Sequence, residues 1–187
     1  MDRIWMTGFR SYELGVNGAK DPKLAVIKFA IERLLRTSIE DGADWLITGG
    51  QMGIEQWAIE VALDLQATDY PEFQIASMTP FAKFGAQWNE NNQEKLNQLK
   101  SRVNFSSTVH QGDFGGRAQM QAYQRFMLTH TDKGIIFFDE EATESKARYD
   151  DTAMREYAEN FDYPVTRIDL DRLQDYATEY QDLQWDN

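Results

Sequence analysis

Three glycines fall within five residues at Gly49-Gly50-Gln51-Met52-Gly53, and an acid, Glu55, follows two positions later. A glycine-rich turn between a strand and a helix suits one chemistry above others, the holding of a phosphate. Glycines let the backbone approach a ligand, the unpaired N–H groups of the helix's first turn point at the anion, and the helix dipole adds partial positive charge. The alternative is a tight turn whose glycines serve backbone geometry alone. The motif lacks the Gly-Lys-Ser/Thr of a Walker loop and the G-x-G-x-x-G spacing of a dinucleotide fingerprint, which counts against a standard NAD dehydrogenase. Glu55 stands at the second or third position of the helix. There it is either a helix-end charge favoured by the dipole or a carboxylate that accepts ribose hydroxyls or activates water.

Other residues belong to the same sheet edge. Thr7, Gly8 and Arg10 leave the first strand there, and Arg10 offers a full positive charge to pair with a phosphate. Glu13 either holds Arg10 in place or touches ribose. Trp88 and Asn89 follow the loop after the third strand, where an indole can stack on a base and a carboxamide can read its edge. The competing role for Trp88 is core packing. The loop Gly112 to Arg117 offers a second anion-binding lip, with Arg117 as its cation. Asp139 ends an apolar strand facing the crevice, as a ribose or metal-bridged phosphate ligand or as a turn residue. Glu55 and Asp139 are thus the candidate catalytic carboxylates. His110 and His130 have no paired ligand spacing, so no metal site is expected. No G-x-S-x-G elbow marks a nucleophile.

The elements that must position these residues alternate along the chain. Arg3 to Thr7 reads as a buried first strand. Asp21-Pro22 opens a helix through Leu24, Ile27, Ile31, Leu34 and Leu35, and Gly42 stops it. Trp45 to Thr48 is a second strand leading into the glycine turn, and Trp57, Ala58, Val61, Ala62 and Leu65 line one face of the next helix. Phe73 to Met78 is a third strand closed by Pro80. A helix from about Trp88 to Leu99 and a strand near Phe105 to Val109 follow. Then come a helix carrying Met120, Tyr123, Phe126 and Met127, and a strand from Gly134 to Phe138. After an acidic loop, a helix from about Thr152 to Asn160 leads to a strand Val165 to Ile168 and a last helix through Tyr180. Such alternation predicts an α/β, three-layer Rossmann-like fold, a mostly parallel sheet flanked by helices, in one domain over residues 1–187.

Composition narrows the function classes. The chain of 187 residues has a net charge of −12, and residues 139–187 hold 15 Asp and Glu against 5 Lys and Arg. That field disfavours nonspecific attraction to nucleic acid or anionic membrane, while Arg10, Arg117 and Arg125 remain available for an anionic ligand. With no cysteine there is no disulfide frame and no thiol nucleophile. No apolar run reaches membrane-spanning length and the N-terminus lacks a signal peptide's apolar centre, so a cytoplasmic protein is expected.

The T-G-F-R-S-Y-E-L-G starting at Thr7, the G-G-Q-M-G-I-E-Q-W starting at Gly49, Pro80-Phe81 with Trp88-Asn89-Glu90, and the late Phe137-Phe138-Asp139 together resemble the YpsA family, over nearly the whole chain. That family belongs to the SLOG superfamily of Rossmann-like domains, with DprA/Smf and the LOG phosphoribohydrolases. The segment G-Q-M-G-I-E, with Gly50, Gly53, Ile54 and Glu55, resembles the DprA-type G-x-x-x-G-I-D pattern, with one residue fewer between Gly50 and Gly53. The LOG motif P-G-G-x-G-T-x-x-E departs here: Thr48 replaces its Pro, one extra residue precedes the third glycine, and Glu55 comes too early to be its Glu. The resemblance implies binding of a nucleotide-derived ligand such as ADP-ribose or an NAD metabolite, with no further cofactor. It also implies a regulatory role linked to bacterial cell division or stress, and hence a protein partner in division. An N-glycosidic nucleotide hydrolase is the enzymatic alternative, and single-stranded DNA binding of the DprA kind ranks below it. A homo-oligomer is compatible with either reading.

Overall fold

The computed structural model describes residues 1–187. Six strands form one sheet: β1 (Arg3–Gly8), β2 (Trp45–Thr48), β3 (Gln74–Phe81), β4 (Phe105–His110), β5 (Lys133–Phe137) and β6 (Val165–Ile168). All neighbours run parallel in the order β4-β3-β2-β1-β5-β6. The helices are α1 (Pro22–Glu40), α2 (Ile54–Ala67), α3 (Glu90–Arg102), α4 (Arg117–Thr129), α5 (Ala147–Ala158) and α6 (Leu170–Trp185). The strand order reverses beside β1, so the β1/β5 junction is the switch point where sheets of this class open a crevice at their carboxyl edge.

Right-handed crossovers decide which helix covers which face. The steps β1 to β4 move one way along the sheet and put α1, α2 and α3 on one side. The return to β5 and the step to β6 put α4 and α5 on the other. The last helix, α6, packs on α1, with the Phe29 ring 5.4 Å from that of Tyr180. The first face therefore carries four helices and the second two. Central strands covered on both sides are apolar on both sides: Ile4, Trp5 and Met6 of β1 are fully buried. Helix α2 is buried nearly all round, because the sheet lies beneath it and α1 and α3 flank it.

Local chemistry fixes the helix starts. The Asp21 carboxylate accepts from the Lys23 amide ahead of Pro22, and the Asn89 side chain caps α3 by accepting from the Asn92 amide. Several boundaries differ from the sequence reading, among them the end of α6, which runs to Trp185 and not Tyr180. Strand β3 runs through Pro80 to Phe81, and α3 starts at Glu90 with Trp88 in the turn before it. Helix α5 starts at Ala147, five residues before the expected Thr152, so Asp150 and Asp151 lie on its buried face with Ala147 and Met154. No helix is long and apolar enough to cross a membrane.

Candidate ligand-binding crevice

The loop after β1 and the glycine turn are zipped together. Arg10 and Gly53 form an antiparallel bridge, the Ser11 amide donates to the Met52 carbonyl (3.3 Å), and the Ile54 amide donates to the Phe9 carbonyl (3.1 Å). Gly53 has φ +116°, and a Cβ there would meet the Ser11 nitrogen at 2.7 Å, so only glycine lets the two loops lie this close. Gly49 faces Glu55 and Tyr123, whose side chains fill the space a Cβ would take, and Leu96 fills the space beside Gly50.

The turn supplies part of its own capping. The Gln51 amide donates to Glu55 Oε1 (3.2 Å) and the Met52 amide to Gln51 Oε1 (3.3 Å). Glu55 thus folds back over the turn, and a carboxylate stands where the sequence placed the phosphate. Of the turn's residues, only Gln51 lines the open crevice. The nearest full positive charge at the inner end of that crevice is Arg10. Its Nη1 donates to the Gly8 carbonyl (3.2 Å), and its Nε is buried without a partner. Its backbone amide donates to Glu13 Oε1 (2.7 Å), while Glu13 Oε2 accepts from the Lys146 amide (3.0 Å). Glu13 therefore pins this loop to the start of α5; both of its oxygens are engaged.

Behind Arg10 lies a buried acid pair. Thr7 Oγ1, at the end of β1, is 2.8 Å from Glu55 Oε2 and 3.1 Å from Asp150 Oδ2. Gln124 Nε2 donates to Asp150 Oδ1 (2.8 Å). One hydroxyl proton cannot serve two carboxylates, so the second contact is a hydrogen bond only if one acid carries a proton. Electrostatics agree with the geometry. Burial pushes both Glu55 and Asp150 above the ordinary carboxylate range, and the charge of Arg10 opposes it. Burial, and then the charges of Glu55 and Asp150, push the Tyr123 phenol well above its usual value, so it stays neutral; it donates to the Met78 carbonyl (2.9 Å). Asp150 was not among the residues expected from sequence. Its signal is the spacing Ala147, Asp150, Asp151, Met154, which places acids on an apolar helical face. Asp151 serves structure instead, paired with Arg155 and Arg167.

The crevice has a volume of about 1780 Å³, between the 81–88 segment, the 113–117 loop and the facing sides of α4 and α5. Six cations line it: Arg10, Lys83, Arg117, Arg125, Lys146 and Arg148. Three acids do so, Asp113, Asp150 and Glu156. Only Lys83 among the cations makes an ion pair, with Asp113 at 3.8 Å. This excess of positive charge occurs in a chain of net charge −12. Rings form one wall at the mouth. Phe81 lies 5.5 Å from Phe84 and 5.2 Å from Phe114, and Trp88 lies 5.4 Å from Phe84. Trp88 is half-buried and faces the crevice.

Several sequence candidates lie elsewhere. Asn89 is exposed and occupied as the α3 cap. Asp139 accepts from the Leu170 amide (3.0 Å) and the Glu141 amide (2.9 Å), which hold its carboxyl below the usual range and tie β5 to α6. It is a turn residue and does not line the crevice. Gly8 ends β1 opposite Phe137. A second cavity of about 630 Å³ opens at the opposite sheet edge, where Arg3 pairs with Asp132 and Lys133 with Asp2.

The comparisons with known proteins agree over nearly the whole chain. The family model YpsA, described as the YspA SLOG family, matches residues 4–173. A UPF0398 protein of Levilactobacillus brevis is 54% identical over 182 residues, covering 97% of this chain and 95% of its own. UPF0398 proteins of Leuconostoc citreum and Latilactobacillus sakei are each 48% identical, over 187 and 184 residues, covering 100% and 98% of this chain and 98% of their own. A Rossmann-like parallel sheet with these motifs in order, and relatives matched end to end, make the chain a member of the YpsA family of the SLOG superfamily.

Proposed function

We propose that the protein binds a nucleotide-type ligand, of the ADP-ribose or NAD-metabolite kind, in the crevice at the carboxyl edge of β1, and acts as a sensor or regulator. The observation that carries this reading is the cationic crevice itself. Five of its six positive side chains make no salt bridge, four of them on the rim and the fifth Arg10 at the inner end, whose charge the acid pair behind it offsets, and an aromatic wall stands at the mouth. Phosphate would be held by Arg10 and the rim arginines, and the base would lie against Trp88. Its volume exceeds the roughly 300–1,000 Å³ usual for a small-ligand pocket, leaving room for more than a mononucleotide. Occupancy would then order the 81–88 and 113–117 segments, a surface that a protein partner can read. Calorimetry with AMP, ADP, ADP-ribose and NAD tests it. At least one should bind, and Arg10→Gln should weaken that binding by about tenfold or more. Absence of binding across the set rejects the reading.

A second reading is hydrolysis of an N-glycosidic bond, favoured by the Thr7-bridged pair of Glu55 and Asp150. A half-protonated carboxyl pair can supply both a proton donor for a leaving base and a carboxylate for the water that attacks. Chromatography for free base, after long incubation with the same nucleotides, decides it; no release removes it.

A further inference from the structure

Resting on the binding reading above, we propose that the inner end of the crevice selects a singly charged, bridging phosphate, that of a phosphodiester or one of the two phosphates of a pyrophosphate, over a terminal phosphate monoester. The reason is a count of charges that geometry imposes. Arg10 is the one cation at the inner end, and directly behind it Thr7 holds Glu55 and Asp150 in one hydrogen-bonded chain that requires a shared proton. The pair then carries one negative charge, and Arg10 balances it. The other groups that face the pair are neutral: Tyr123 and Gln124 from α4, Thr7 from β1 and the Gln51 amide from the turn. No uncompensated positive charge remains in the buried part of the site. A monoester with two charges would bring one more negative charge into a low-dielectric space than a diester does. The rim cations Lys83, Arg117, Arg125, Lys146 and Arg148 are exposed, so water and salt screen them and they distinguish the two ligands poorly.

The test compares AMP with its own methyl phosphate ester, which has the same base and sugar and one charge fewer, by calorimetry on the full chain. At pH 7.5 the ester should bind about tenfold more tightly. At pH 5.5, below the monoester's second ionisation at about 6, the difference should shrink to about twofold or less. The double variant Glu55→Gln with Asp150→Asn leaves Arg10 uncompensated, and there the difference at pH 7.5 should vanish or reverse. Asp150→Asn alone keeps the one charge on Glu55 and should preserve the difference. Equal or tighter binding of AMP by the wild-type protein at pH 7.5 overturns the proposal, and so does a difference that persists in the folded double variant. If the double variant does not fold, the wild-type pair of pH values decides. Binding without discrimination sinks this inference alone, whereas failure of both nucleotides to bind sinks the binding reading with it.

Discussion

The two faces of the sheet are built to different standards. On the face covered by α1, α2, α3 and α6, helix pairs interlock and charges are matched: Glu60 lies 2.7 Å from both Lys28 and Lys95, linking α1, α2 and α3, and Arg33 pairs with Glu179 of α6. On the face covered by α4 and α5, Tyr149 and Phe161 are exposed, and Arg117, Arg125, Lys146 and Arg148 have no ionic partner. Two helices cannot cover what four cover opposite, and the groove left over opens onto the switch point of the strand order. Close packing and open, charged surface thus fall on different faces of one sheet. Surface left unsatisfied in folding is the surface available to a ligand.

The comparison is most easily broken by stability measurements. Ile59 is fully buried on α2, and Ile59→Ala should cost about 2–5 kcal/mol in urea unfolding. Tyr149→Ala on the groove should stay within about 0.5 kcal/mol. Similar losses for the two would show that the faces do not differ. A middle-sized effect concerns the acid pair. Because both carboxyls are raised in the folded state, their contribution is favourable below the ordinary carboxylate range and is lost as pH climbs through the raised values. Asp150→Asn can keep the bonds to Thr7 and Gln124 without that titration. Its Tm should match wild type near pH 4 and exceed it by about 3 °C at pH 8; a constant offset at every pH would show that the pair is not half-protonated. The smallest effect belongs to the rim. Arg148→Ala should weaken nucleotide binding about twofold at low salt and not measurably at high salt, with unchanged Tm. A salt-independent loss would place Arg148 inside the site.

Much of this was legible in the sequence. The central strands are legible as short apolar runs, β4 (Phe105–His110) more weakly because three of its six residues are Ser or Thr, and the start of α1 follows from Asp21-Pro22. Strand order was not legible, since the pattern within a strand says nothing about its neighbours. Two candidates were misplaced because a residue's position at an element's end does not reveal its partner: Asn89 caps its own helix and Asp139 reaches across to Leu170. Asp150 is hidden in the sequence because Tyr149, Asp150 and Asp151 read as part of an acidic loop. Its partners, Thr7 and Gln124, lie 143 and 26 residues away along the chain. The glycine turn is legible in the sequence, but its electrostatics are not: Glu55 reaches back over it, and only the folded geometry of Gly49 shows the space that side chain occupies.

The bridge between Arg10 and Gly53 has a mechanical consequence. It splices the end of the first strand to the root of the most deeply embedded helix, so neither segment can shift without dragging the other. Any force on the loop that carries Arg10 therefore also loads α2, whose neighbours α1 and α3 line the far side of the sheet. The thinly covered side is thus joined, through one short splice, to the side that holds the protein together.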